Sequence, residues 1–110
     1  MHQPAPTTTH AQELLRALDQ LETTLASVRR AAGQGASPEL ERVLRGHLRS
    51  LRALLGVGAS PLVDDAVDAA LRVLDSADPS APLHVLSMAH QGLAGTIRRQ
   101  ATSAALPTAA

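Results

Sequence analysis

The chain contains no phenylalanine, tyrosine, tryptophan or cysteine, so a folded core can come only from Leu, Val and Ala, helped by Ile97, Met1 and Met88. Ala and Leu are strong helix formers, and Ala lets two helix axes approach closely. The constraint points to helices packed on helices. The length of 110 residues suits one domain, and a chain of this size buries about two-thirds of the surface its unfolded form exposes. Missing aromatics remove the stacking platforms used to grip single-stranded nucleic acid, sugars and flavins. Missing cysteines exclude disulfides, zinc fingers, iron–sulfur clusters and thiol catalysis.

The spacing of the apolar residues then sets the element order. Thr9 and Gln12 have the separation of a capping box, and predict a first helix starting at Thr9. Ala11, Leu14, Leu18, Leu21, Leu25, Val28 and Ala32 follow at alternating steps of three and four. That is an a/d seam of the coiled-coil kind. Gly33 and Gly35 stop the helix, and Ser37-Pro38 starts a second, a cap residue followed by proline in the first turn. Its predicted apolar face is Leu40, Val43, Leu44, Leu48, Leu51, Leu54 and Leu55. Gly56-Val57-Gly58 ends it and Ser60-Pro61 opens a third helix, which buries Val63, Val67, Ala70, Leu71 and Leu74 and runs to about Asp78-Pro79. A fourth begins between Ser80 and Pro82 and carries Leu83, Leu86, Leu93 and Ile97 to about Gln100 or Ser103.

The expected fold is therefore all-α, a small antiparallel bundle of three to four helices over residues 9–101. Tails at 1–8 and 102–110, rich in Pro, Thr and Ala, are predicted to be disordered. Gly33-Gln34-Gly35-Ala36-Ser37-Pro38 recurs as Gly56-Val57-Gly58-Ala59-Ser60-Pro61. We read both copies as the same local device, one helix stopped and the next begun. Short loops favour antiparallel neighbours.

Ten basic and ten acidic residues leave no formal net charge, and every basic residue is arginine. General attraction to nucleic acid or to anionic membranes is not expected. No apolar run reaches the length of a membrane span, and the Met1-His2-Gln3-Pro4 start lacks the basic and apolar regions of a signal peptide. The cytoplasm is the expected setting, and the Arg, Ala, Leu and Pro bias suits a GC-rich bacterial genome.

Two histidines interrupt leucine seams, His47 on helix 2 and His90 on helix 4. They could form a metal or haem site between helices, or they could be structural histidines bonded to neighbouring groups. His84 and Met88, four residues apart, share a face. Asp64-Asp65-Ala66-Val67-Asp68 fits the D-D-x-x-D pattern that holds magnesium in prenyl-diphosphate synthases, but it falls in the first turns of a helix, where the dipole favours Asp anyway. Arg42, Arg45, Arg49 and Arg52 stripe the solvent side of helix 2, and the acidic helix 3 can complement them. No nucleophile elbow, phosphate loop or catalytic triad is visible. No cofactor is expected.

The stretch Leu44-Arg45-Gly46-His47-Leu48-Arg49-Ser50-Leu51, after Glu13-Leu14-Leu15-Arg16-Ala17-Leu18 and before Leu55-Gly56, resembles a histidine phosphotransfer domain in its helical organisation. The family pattern is H-x-L-K-G; here Leu48 and Arg49 each fall one place early, and Leu51 stands fourth. The resemblance implies a four-helix bundle with His47 as phosphoacceptor and Arg49 as its phosphate partner. The residues themselves favour a non-enzymatic helical interaction module, an oligomerising adaptor or regulator. Its partner would be another protein or a second copy. The expected form is a homodimer with the helix 1 seam, Leu14, Leu18, Leu21, Leu25 and Val28, as the interaction face.

Overall fold

The computed structural model describes residues 6–35 and 37–105. Within them lie four α-helices, α1 (Pro6–Ala31), α2 (Pro38–Leu55), α3 (Ser60–Asp75) and α4 (Ser80–Ala105), and no strand. The chain is the small all-α bundle its sequence predicts. Each helix packs on its neighbours in sequence, α1 and α4 close the ring, and α1 meets α3 across the middle. Thr24 on α1 meets His47 on α2, and Arg52 on α2 meets Asp64 on α3. Leu15 near the start of α1 shares a hollow with Thr102 near the end of α4, while Glu22, further along α1, meets His90, earlier on α4. Neighbours therefore run antiparallel.

The core is aliphatic throughout. Leu14, Leu21, Leu25 and Val28 of α1, Leu44 and Leu51 of α2, Val63 and Val73 of α3, and Leu86, Leu93 and Ile97 of α4 are fully buried. The α1 seam turns inward over its whole length. Leu14, Leu18, Leu21, Leu25 and Val28 are no more than 3 % exposed, so the external interaction face expected of them is not available in the folded chain. The same seam that reads as a coiled coil serves three partners within one bundle. On α3, Ala66, Ala69 and Ala70 are buried beside the valines and Leu74. Small side chains there widen the buried face of the helix without pushing its neighbours apart. Val43 departs from its predicted place: it is 45 % exposed, at the edge of the leucine face.

The helix ends differ from expectation in instructive ways. α1 begins at Pro6, so Thr9 lies inside the helix and is not its cap. Proline fits a first helical position because its missing N–H has no partner there in any case. α4 continues to Ala105, beyond the expected boundary, while residues 1–5 and 106–110 of the expected tails lie outside the described residues. α3 stops at Asp75, short of Asp78-Pro79. Ser76 turns extended, its hydroxyl donates to the Asp78 carbonyl at 2.8 Å, and Asp78 Oδ1 accepts from the Ser80 amide and hydroxyl at 3.3 and 3.0 Å. This side-chain turn chemistry competes with another helical turn.

The two copies of the Gly-x-Gly-Ala-Ser-Pro sequence do not do the same thing. Ser37 is extended and caps α2, its hydroxyl accepting from the Leu40 amide at 3.4 Å. Ser60 is already helical, and its hydroxyl donates back to the Gly56 carbonyl at 3.4 Å. A 3-10 turn, Val57–Ala59, joins the second copy directly to α3. Gly56 has φ 80° and ψ −176°, a conformation essentially restricted to glycine. Gly58 has no such constraint, and a Cβ there would meet nothing within 4 Å. Gly56→Ala should therefore destabilise by about 1–3 kcal/mol. Gly58→Ala should be neutral, or stabilise by up to about 1 kcal/mol through the unfolded chain. Chemical denaturation of the two variants checks the contrast, and equal effects would contradict the assigned turn.

Candidate functional site

Two polar sites flank α1, each built on one of the seam histidines. The first joins α1 to α2. His47 is half-buried, and its Nε2 lies 2.8 Å from the Thr24 hydroxyl. Thr24 is itself 9 % exposed, and its hydroxyl donates to the Gln20 carbonyl one turn back, at 3.2 Å. With that proton engaged, the hydroxyl oxygen accepts from His47, and Nε2 carries the ring proton. Burial holds the His47 imidazole below its usual pKa, because desolvation penalises the charged ring.

The second site joins α1 to α4. His90 Nε2 lies 2.8 Å from Glu22 Oε2, and its Nδ1 lies 3.4 Å from an Arg29 guanidinium nitrogen. Arginine can only donate, so Nδ1 accepts and Nε2–H donates to Glu22. The imidazole is thereby held in one orientation between an anion and a cation. Arg98 approaches the same Glu22 oxygen at 3.6 Å. Ion pairs this exposed contribute little each, but the partly buried His90–Glu22 bond ties α1 to α4.

The two imidazoles do not converge. Thr24 and Glu22 are about 200° apart around α1 at about 100° per residue, so His47 and His90 sit on opposite flanks of that helix. This placement does not favour the joint metal or haem site that the sequence left open as an alternative. Among the described residues, no group of three or more His, Asp or Glu is placed to hold a metal ion. His84 and Met88 are both exposed on α4. In the D-D-x-x-D segment, Asp64 pairs with Arg52 and Asp68 with Arg72, so two of its three carboxylates already have arginine partners.

Arg49 is exposed on the outer side of α2, two residues from His47 and so about 200° away around the helix. It does not lie beside the imidazole as the phosphotransfer resemblance implies. In the arginine stripe, Arg45 binds Glu41 at 3.0 Å and Arg52 binds Asp64, whereas Arg42 and Arg49 have no ion partner among the described residues.

Sequence reading missed a third feature, a hollow of about 460 Å³ between α3 and α4. It is lined by Asp65, Asp68, Ala69 and Arg72 on one side and by Val85, Met88 and Ala89 on the other. Val85 is 50 % and Met88 62 % exposed. The available signal was Met88 itself: it falls off the Leu86, Leu93 and Ile97 stripe that faces the core. No helix among the described residues is long and apolar enough to cross a membrane. Comparison with known proteins found no match, whether to a family model, a curated protein or a solved structure.

The His47 site yields a pH prediction with a definite sign. An unfolded histidine titrates near about 6.5, and the folded His47 takes its proton only at lower pH. Between those values the unfolded state binds more protons, so stability falls as pH drops below about 6.5 and is unaffected by this group above it. Thermal melts across that window should show the decline, and His47→Gln should reduce it. His47→Ala at neutral pH should cost about 1–3 kcal/mol through a lost bond to Thr24 and a small void. An unchanged melting temperature would mean the ring contributes nothing to the α1–α2 seam.

Proposed function

We propose that the chain is a non-enzymatic protein-interaction module, an oligomerising adaptor or regulator that binds its partner on the α3–α4 face. The observation that carries this reading is the pair of exposed apolar side chains, Val85 and Met88, over the α3–α4 hollow. The long leucine seam is already used inside the bundle, and among the described residues this face sets two exposed apolar side chains over one hollow, where the α1–α4 hollow has Leu15 alone. Partner helices recognise such a surface through apolar anchors framed by polar residues. Aspartates and Arg72 on α3 supply the frame.

Support for a role without chemistry comes from the histidines. His47 is engaged with Thr24, and His90 is held between Glu22 and Arg29, so each imidazole has a structural task. A second reading keeps His47 as a phosphoacceptor. Its partial exposure favours that reading, and the bond from Nε2 to Thr24 opposes it. Acid-labile labelling by a histidine kinase, lost in His47→Ala, would promote it.

The interaction reading is tested by affinity capture with the full chain as bait. A differently tagged copy counts as a partner alongside other proteins. Met88→Glu should lose the captured partner, because it sets a charge in the apolar hollow. Val43→Glu, at a position 45 % exposed on α2, should retain it. Capture that is indifferent to both substitutions, or no capture at all, would overturn the assignment to this face.

A further inference from the structure

The solvent side of α4 has an unusual composition for a helix of 26 residues. At about 100° per residue, Val85, Met88, Gly92, Gly95 and Arg99 fall on one stripe. An exposed glycine within a helix costs about 1 kcal/mol relative to alanine. Nothing inside the chain requires glycine at position 92, where a Cβ would meet no atom within 4 Å. The adjoining edge of α3 presents Asp65, Asp68, Arg72 and Asp75 in successive turns. Asp68 pairs with Arg72 at 3.1 Å, while Asp65, Asp75 and Arg99 have no ion partner among the described residues. An apolar stripe thus lies between an acidic edge and a cation, Arg99, whose guanidinium donates, among the described residues, only to the Thr96 hydroxyl at 3.1 Å and folds back over Gly95.

We propose that a second copy of the chain covers this face, with α4 packed antiparallel on α4 about a two-fold axis at Gly92. This deepens the interaction-module reading and rests on it. A two-fold axis at Gly92 sets each Met88 over the partner's Gly95; the Arg99 guanidinium of that chain, 3.3 Å from the point a Gly95 Cβ would take, swings away to make room for it. Gly92 meets its own symmetry mate, and the missing side chains let the two backbones approach. Val85 falls opposite the partner's Arg99, whose aliphatic stem covers it. Val85 is level with Arg72, since both line the same hollow. The Arg99 head thereby leaves Thr96 and reaches the α3 edge beside Arg72, which Asp68 already neutralises, and pairs with Asp75, on both sides of the axis. The face is self-complementary in shape and charge, as a two-fold interface requires.

The test uses the purified full chain. Sedimentation from low micromolar to sub-millimolar concentration should show a monomer–dimer equilibrium. Met88→Glu should weaken it about tenfold or more, with an unchanged circular dichroism melt, since Met88 lies outside the core. The absence of native cysteine allows a second readout. Gly92→Cys places one thiol on the axis and should form a disulfide-linked dimer on mild oxidation. Val57→Cys, on the exposed 3-10 turn, should not. A strictly monomeric parent chain overturns the proposal; if Met88-dependent capture of a different protein persists, the interaction reading survives without it. A dimer that tolerates Met88→Glu and leaves Gly92→Cys unlinked also overturns it, since the contact then lies elsewhere.

Discussion

The structure depends on the burial of one leucine seam, that of α1. Leu14, Leu21, Leu25 and Val28 are fully excluded from solvent, and the helix that carries them touches all three others. Without aromatic side chains, no single residue can anchor the core, so stability must come from many aliphatic contacts of similar size. A seam that runs the length of the longest helices meets that requirement. It also explains why the polar sites fall where they do. The flanks of α1 border α2 on one side and α4 on the other, and each flank offers a short polar group to a histidine: Thr24 to His47, Glu22 to His90.

Much of this was legible in the sequence. The four helices, the Ser37 cap and the inward residues of α4 follow from periodicity and from where Gly, Ser and Pro interrupt it. The destination of the α1 seam was not. A heptad pattern states that a face is buried, and is silent on whether the covering helix belongs to the same chain. The repeated Gly-x-Gly-Ala-Ser-Pro was also ambiguous. Its Ser37 caps and its Ser60 does not, because a 3-10 turn follows Gly56. Local residues that match at five of six positions leave that choice to the tertiary packing of α3 against α2.

The histidines show the same boundary for chemistry. His47 and His90 occupy equivalent seam positions in the sequence, each replacing a leucine. Their environments nevertheless differ in kind. One is desolvated and bonded to a hydroxyl whose own proton is directed to a backbone carbonyl. The other sits in a line from guanidinium through imidazole to carboxylate. A seam position predicts that an imidazole will be partly buried; the facing residue decides its tautomer, and that residue lies 23 positions away in one case and 68 in the other.

The surface then divides by what the fold has left over. In α2, arginines and leucines separate cleanly, so burying the leucines leaves a charged exterior that water solvates well. In α4 the separation is weaker. Val85 and Met88 lie outside the core stripe of Leu86, Leu93 and Ile97, and the helix interior holds Gly92 and Gly95. Folding alone accounts for the arginine exterior of α2. It accounts neither for two exposed apolar side chains on α4 nor for an exposed helical glycine with open space around it. Both features cost free energy in an isolated chain: alanine would stabilise the helix at position 92, and a polar residue would be better solvated at position 88. A helix packed against that stripe would remove the second cost and make use of the first.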